Sequence, residues 1–148
     1  MLNTRDVRVH TYDHLLAHGV PPSSREIAGH FGVTQSEALQ ALRDMKIGKA
    51  ILIHPQTGEI WMAGPFASLP TQYRVIGRRA TEWWANCAWD MLGVASLVNE
   101  PVRIETRCTD CGDPMTFQVD PSREAIEDSS VVHFLVPARH WYDDIGFT

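Results

Sequence analysis

The first third of the chain repeats apolar residues at the three-to-four residue spacing of amphipathic helices. Serine residues precede the second repeat, and Thr34 precedes the third with a glutamate three positions on, as in a capping box. Glycines follow the first two repeats and can end them. The pattern predicts helices at Arg5–His18, at Arg25–Phe31 and after Thr34, the last with a buried stripe of Ala38, Leu39, Leu42 and Met45.

Two short β-prone runs follow, Ala50–Ile53 and Glu59–Ala63, and a Pro/Gly turn separates them. Such a pair predicts a β-hairpin. A helix, a helix–turn–helix and a hairpin in this order resemble a winged helix, and the phrase Ile27–Val33 resembles the turn region of many such domains. We therefore expect a winged-helix-like three-helix domain over residues 1–64.

The second part of the chain begins where Gly64–Pro70 breaks the periodicity and indicates a linker. Tyr73–Ile76 favours a strand, and Thr81–Val98 predicts a long, largely buried helix. The shared face of that helix comprises Trp84, Cys87, Ala88, Met91, Leu92 and Ala95. Three strand-like runs complete the pattern: Val102–Thr106, Met115–Val119 and Val131–Val136. We expect an α+β fold, in which residues 65–148 form a small mixed sheet-and-helix domain packed on the first domain.

Composition narrows the functional classes. The chain has 148 residues, 44% of them hydrophobic, which is enough to form a core. Its net charge of −5 argues against a general nucleic-acid binder, since such proteins neutralise phosphates. The sequence has no apolar run long enough to span a membrane, and its N-terminus lacks a signal-peptide core. We therefore expect a cytoplasmic protein with reduced cysteines and no membrane partner.

Cys87 and Asp90 are the residues that suggest chemistry. Three residues apart on a predicted helix, they would be neighbours on one face. A thiolate is a soft nucleophile, and a carboxyl group in an apolar setting has a raised pKa, so it can hold and deliver a proton. The alternative is that Cys87 is a small buried hydrophobic residue and Asp90 faces water.

A wider set of residues points to one family. The phrase Trp83–Leu92, a strand-and-turn segment ending at Cys108 and the strand-like Pro114–Val119 together resemble the core of the organomercurial (alkylmercury) lyases. The resemblance covers about residues 5–148. It implies a reactive cysteine at Cys87, its partner aspartate at Asp90 and a structural cysteine at Cys108.

The resemblance also implies a reaction. Mercury(II) is soft and binds thiolates, so Cys87 would take the mercury of a small organomercury substrate and Asp90 would protonate its carbon. Hydrocarbon would leave and mercury(II) would stay as bound product, with no cofactor required. Thiol compounds or a mercury-handling protein would accept that product. We expect a water-excluding pocket formed by Trp83, Trp84, Trp89 and Met91.

The family shares the mercury with a second reactive cysteine, located C-terminal to the third strand of the sheet. No cysteine follows Cys111 in this chain. A shortened chain is our preferred interpretation, since the sequence stops after the strand-like Ile145–Thr148. The alternatives are that Cys111 supplies the second metal ligand beside Cys87, or that the protein binds mercury without full turnover.

Cys108 and Cys111 form a Cys-x-x-Cys-Gly sequence, which is half of a zinc knuckle. Structural zinc would need His133, His140 or Cys87 to complete the site, and a redox pair would need a different strand–helix context. Two packed or partly exposed thiols are the commonest outcome, and we favour it over zinc.

Two other functions remain open. A transcriptional regulator would read DNA with Thr34–Ile47 and sense metal through its cysteines, but the predicted wing, His54–Glu59, has no Arg or Lys. We therefore expect no nucleic-acid partner and interpret the winged helix as a packing module. A thiol protein that stores or carries metal is the other alternative. His10, His14 and His18 recur every four residues, and we expect them to form a solvated helix face.

Overall fold

The computed structural model describes residues 2–45, 51–123 and 128–143. In this part of the chain three helices come first: α1 (Thr4–His18), α2 (Ser24–Phe31) and α3 (Gln35–Met45). The strands are β1 (Ile51–Ile53), β2 (Ile60–Ala63), β3 (Phe66–Ala67), β4 (Arg74–Ile76), β5 (Glu82–Ala85), β6 (Val102–Arg107) and β7 (Pro114–Val119). Helix α4 (Ala88–Val98) follows β5, and a short 3-10 helix covers Ala138–His140. The seven strands form one antiparallel sheet in the order β1-β2-β3-β5-β4-β6-β7.

The predicted helix ends are confirmed by the hydrogen bonds that form them. Ser23 and Glu26 make a complete capping box at the start of α2. Thr34 and Glu37 exchange the same pair of bonds before α3, where the Thr34 N–H donates to the Glu37 carboxylate at 2.9 Å. Gly19 ends α1 in the left-handed conformation, which an L side chain adopts only at a cost. Local polar contacts therefore set the boundaries of the helical part.

The predicted hairpin is present, but the predicted linker is wrong at Phe66–Ala67. These two residues form β3, which pairs with β2 on one side and β5 on the other. The hairpin is thereby part of the same sheet as the later strands. A two-residue strand beside Gly64 and Pro65 is too short to show a periodicity. The division of the chain into domains at residue 64 stays a prediction.

The long helix predicted over Thr81–Val98 is also wrong in its first part. Residues Glu82–Ala85 form a central strand, and α4 begins only at Ala88. The burial of β5 alternates, with Trp83 and Ala85 buried and their neighbours half-buried. Aromatic side chains suit a pleated, half-buried surface, and two flanking strands complete the hydrogen bonding of this segment. Pairing with distant residues overrode the helical spacing.

The third predicted strand, Val131–Val136, is not a strand in the structure. Val131 is 86% exposed and Leu135 is 75% exposed. Strand β7 ends the sheet order, and the described residues include no strand that pairs with its outer edge. A β-prone composition makes a strand only when a partner strand supplies hydrogen bonds. The predicted strand-like Ile145–Thr148 lies outside the described residues.

One face of the sheet carries the core. Val75 pairs in register with Trp83 and with Ile104, so the three side chains lie side by side, and all are buried. The indole N–H of Trp83 donates to the carbonyl oxygen of Leu15 at 2.8 Å and so attaches the end of α1 to the sheet. This contact places the end of α1 against β5, the strand that leads into α4.

The other face of the sheet is polar at its centre. The Arg74 guanidinium pairs with Glu82 on β5 and with Glu105 on β6. It also lies 6.0 Å from the ring centre of Trp84. Because these side chains are 32–40% exposed, the ion pairs position the strands more than they stabilise them.

Candidate active site

Cys87 occupies the N-cap position of α4, and Asp90 is the third residue of that helix. The two side chains are therefore neighbours across the start of the helix, whereas the sequence pattern placed both inside it. The Cys87 backbone is extended, with φ −148° and ψ 178°, and its side chain makes no capping hydrogen bond. Strand β5 leads directly into this turn, so the central strand of the sheet positions the cysteine.

Burial raises the pKa of the Cys87 thiol above its ordinary value. The backbone N–H of Asp90 points toward the sulfur and opposes this effect, while the negative charge of the Asp90 carboxyl group adds to it. Without a ligand the thiol therefore holds its proton, and a metal that binds the sulfur must displace that proton.

Asp90 is half-buried, and burial raises the pKa of its carboxyl group. The neighbouring polar side chains of Asn86 and Cys87 favour the charged carboxylate and partly offset this rise. The direction agrees with the one expected from the sequence. A carboxyl group that gains a proton more readily than usual, beside a thiol, is suited to proton transfer.

Two further residues complete the surroundings of the pair, and the sequence pattern did not single them out. Asn86 donates from its side-chain nitrogen to the carbonyl oxygen of Pro65 at 3.0 Å, while its side-chain oxygen is buried without a partner in the described structure. Tyr12 on α1 donates to the carbonyl oxygen of Gly64 at 2.7 Å. Burial raises the pKa of the Tyr12 hydroxyl, and the charge of Asp90 raises it further, so the two groups are close.

The tryptophans predicted to enclose this pair are dispersed. Trp83 is buried in the core beneath α1, and Trp84 points to the opposite face of the sheet, over Arg74. Trp89 is 57% exposed, with its ring centre 6.3 Å from that of Phe134. Met91 is buried on α4. Alternation along β5 separates Trp83 from Trp84, so they do not form one wall.

Comparison with known protein families matches residues 66–147, more than half of the chain, to the family model described as MerB, alkylmercury lyase. The chain belongs to the alkylmercury lyase family. No curated protein matches it.

The fold is similar to that of a solved member of this family. The crystal structure of the mercury-bound form of MerB2 superposes on the chain with a TM-score of 0.61 and 15% sequence identity. The match covers 80% of this chain and 58% of that one, so the present chain spans little more than half the length of its structural relative. At this identity the likeness concerns the fold. Within the described part of this alkylmercury lyase family member, no helix is both long and apolar enough to cross a bilayer.

The other two cysteines of this family member lie together at the turn between β6 and β7. The turn is held by the Cys108 N–H, which donates to Asp113 at 2.8 Å, and by the Gly112 N–H, which donates to the Cys108 carbonyl at 2.9 Å. The backbone N–H groups of Cys111 and Asp110 lower the pKa of the Cys108 thiol, and the Cys111 thiol also interacts with it. The structure thus groups Cys111 with Cys108, and Cys111 is not among the groups that act on Cys87.

A zinc site at this turn would need further ligands. In the described ranges no three His, Cys, Asp or Glu side chains are arranged to hold a metal ion. His140 interacts with Asp143 at 2.9 Å. Cys108 is half-buried and Cys111 is exposed. This matches the expectation of packed or partly exposed thiols.

A cavity of about 450 Å³ lies between α4 and the β6–β7 hairpin, and we call it the hairpin cavity. Its wall is largely apolar and includes Tyr73, Ala88, Met91, Leu92, Met115 and Phe117. Residues 128 and 130–133 close one side, and Thr106 and Cys108 also line it. Neither Cys87 nor Asp90 does. The sequence pattern identified Cys108 but contained no sign of this cavity, because its walls come from segments far apart in the chain.

His10 on α1 stacks against His30 on α2. The ring centres of His10 and His30 are 3.8 Å apart, and those of His14 and His18 are 4.4 Å apart. Burial, followed by the charges of His30 and His14, lowers the pKa of His10. This helix face is therefore less uniformly solvated than its spacing suggested.

Proposed function

We propose that this protein captures an organomercury compound on Cys87 and cleaves its carbon–mercury bond by proton transfer from Asp90. The observation that carries the proposal is the half-buried carboxyl group of Asp90, with a raised pKa, next to the half-buried thiol of Cys87. Membership of the alkylmercury lyase family supports it.

The first step exchanges one mercury ligand for another. The Cys87 sulfur forms a bond to mercury, the bond between mercury and its departing anion breaks, and the thiol proton passes to Asp90. A soft metal on the sulfur makes loss of this proton favourable, despite the burial that holds it in the free protein. The raised pKa of Asp90 suits it to receive the proton.

In the second step Asp90 returns the proton to the carbon bonded to mercury. The carbon–mercury bond breaks, hydrocarbon leaves, and mercury(II) stays on the Cys87 sulfur. Asn86 is fixed by a hydrogen bond from its side chain to the Pro65 carbonyl oxygen, and from this position it orients the carboxyl group of Asp90. A second sulfur must then take the mercury, and we propose that a thiol compound or a mercury-handling protein supplies it.

We also propose that the helical part serves as a packing module for this site. Tyr12 of α1 reaches the turn at Gly64 and lies close to Asp90, so α1 covers the pair from one side. By closing off this side, α1 would limit the access of water to the proton transfer.

The test is incubation of the protein with phenylmercury acetate and excess thiol, with benzene measured by headspace gas chromatography. Release should be lost in Cys87→Ser and in Asp90→Asn, and should persist in Cys111→Ser, which alters an exposed thiol. Benzene release by both site variants at the wild-type rate would overturn the proposal. Mercury binding by the wild type without benzene would instead indicate a non-catalytic thiol metal-binding protein.

A further inference from the structure

The turn between β6 and β7 places two thiols side by side. The Gly112 N–H donates to the Cys108 carbonyl oxygen at 2.9 Å, which closes a single helical turn, and Gly112 ends it at φ +78°. Residues three apart in a helical turn are neighbours on one face, so the side chains of Cys108 and Cys111 lie next to each other. The backbone N–H groups of Cys111 and Asp110, followed by the Cys111 thiol, lower the pKa of the Cys108 thiol, which agrees with this arrangement. We call Cys108 and Cys111 the dithiol pair.

The dithiol pair lies at the same end of the sheet as Cys87. Arg74 of β4 pairs in register with Trp84 of β5 and with Glu105 of β6. Because both strands are antiparallel to β4, they run in the same direction, and Cys87 and Cys108 each come three residues after the position that pairs with Arg74. Strands β5 and β6 are two strand spacings apart, which is roughly 10 Å. The register therefore brings the two cysteines to neighbouring places where these strands end.

The dithiol pair is open to small ligands. Ala88, the residue after Cys87, and Cys108 both line the hairpin cavity. Cys108 is half-buried and Cys111 is exposed. The pair is therefore accessible from the cavity beside α4 on one side and from solvent on the other.

Two thiols on their own suit a soft, two-coordinate metal ion. Within the described ranges no group of three or more His, Cys, Asp or Glu side chains could hold a metal, so zinc, which takes four ligands, finds too few here. Mercury(II) is a soft ion that two thiolates bind in a line, and it needs no third ligand. It is also the ion that the proposed reaction leaves on Cys87.

We propose that the dithiol pair is an acceptor, within the chain, for the mercury(II) that the reaction leaves on Cys87. This assignment rests on the proposed function. Two bonds form, from mercury to the sulfur atoms of Cys108 and Cys111, and the bonds from mercury to the Cys87 sulfur and to its remaining anion break. One of the two thiol protons goes to the Cys87 sulfur and the other to the anion, and nothing is oxidised or reduced. Cys87 is then free for another substrate, and thiol compounds can remove the mercury through the exposed Cys111.

The binding step is tested with mercury(II) chloride, which has no carbon–mercury bond, on the full chain carrying Cys87→Ser. One equivalent is bound, glutathione is added in steps, and the mercury that stays with the protein after gel filtration is measured by atomic absorption. The control protein also carries Cys111→Ser and Gln118→Cys, which keeps the number of thiols. Gln118 is exposed and pairs with Arg103, five residues along β6 from Cys108, so the new thiol lies roughly 17 Å away.

Release of half the mercury should need at least about tenfold more glutathione in the protein with the dithiol pair, because its second sulfur binds within the same molecule. Release at the same glutathione concentration from both proteins would overturn the proposal. This result does not depend on cleavage of a carbon–mercury bond.

The transfer step is tested in the presence of Cys87, with one equivalent of phenylmercury acetate and no added thiol. Benzene is measured, the free thiols are then alkylated, and peptide mass spectrometry shows whether Cys87 was free. We expect about tenfold more alkylation of Cys87 in the wild type than in the protein with Cys111→Ser and Gln118→Cys. Benzene with equal protection of Cys87 in both proteins would refute the transfer alone. Absence of benzene would refute the proposed function and the transfer with it, whatever the chloride experiment shows.

Discussion

Gly19 joins the helical part of the protein to the sheet, and its replacement by alanine tests that junction. The residue ends α1 at φ +77°, and its N–H donates to the Leu15 carbonyl at 2.8 Å. A Cβ at this position would lie 2.0 Å from the carbonyl oxygen of Glu82 at the start of β5. The carbonyl oxygen belongs to the backbone and the Cβ is bonded directly to it, so no side-chain rotation can relieve this contact. The end of α1 must separate from β5 to accommodate the methyl group.

Gly32 supplies a matched control, since it ends α2 at φ +65° and a Cβ there meets nothing within 4 Å. Alanine in this conformation costs about 1–2 kcal/mol, partly offset by about 0.4–1 kcal/mol from the restricted unfolded chain. We therefore expect Gly32→Ala to lower the free energy of unfolding by about 1 kcal/mol or less.

Gly19→Ala has the same conformational cost as Gly32→Ala, and it also displaces the end of α1 from β5. Moving α1 away from β5 weakens the buried hydrogen bond from Trp83 to Leu15, a loss of about 0.5–1.5 kcal/mol, and loosens the packing around it. We expect a total loss of about 3 kcal/mol or more in urea unfolding. Alkylation of Cys87 should also accelerate, because α1 attaches through Tyr12 to the Gly64 carbonyl, next to the Pro65 carbonyl that binds Asn86. Equal destabilisation by the two substitutions, or an unchanged Cys87 rate in Gly19→Ala, would refute this account of the junction.

Three other predictions concern single groups. Asp90→Asn removes a negative charge that raises the pKa of the Cys87 thiol, so we expect this pKa to fall in a titration followed by thiolate absorbance. An unchanged pKa would show that the Asp90 charge does not act on the thiol. The pKa of folded His10 lies below its ordinary value of 6.5, so the unfolded chain binds the proton more readily. The stability contribution of His10 is therefore complete above pH 6.5 and lost as the pH falls toward the folded pKa. His14, His30, Asp13 and Glu26 also act on this ring. His10→Gln should flatten that part of the stability–pH curve, and an identical curve would assign the dependence to other groups. Thr106→Val removes an unpartnered buried hydroxyl, so its urea midpoint should stay equal or rise; a loss above about 1 kcal/mol would reveal a partner for that hydroxyl.

Much of the helical part was predictable from sequence because its decisive contacts are local. Ser23 with Glu26 and Thr34 with Glu37 are three residues apart, and their side chains satisfy the first N–H groups of the helices. Gly19 ends α1 for an equally local reason. Cys87 and Asp90 also come together through short sequence separation, and this holds whether Cys87 begins the helix or lies inside it. The proximity of the proposed reactive pair therefore follows from the sequence alone.

The tertiary structure decided everything that depends on distant partners. Glu82–Ala85 is a strand because β3 and β4 pair with it, and Val131–Val136 is not a strand because the described residues provide no partner for it. The dispersal of the tryptophans follows from that pairing, since neighbours on a strand point to opposite faces. The Tyr12 hydroxyl binds the Gly64 carbonyl across 52 positions of sequence, and the walls of the hairpin cavity come from segments far apart in the chain. The local sequence pattern indicates whether a segment prefers helix or strand. Hydrogen-bond pairing and burial between remote segments determine which of the two structures forms.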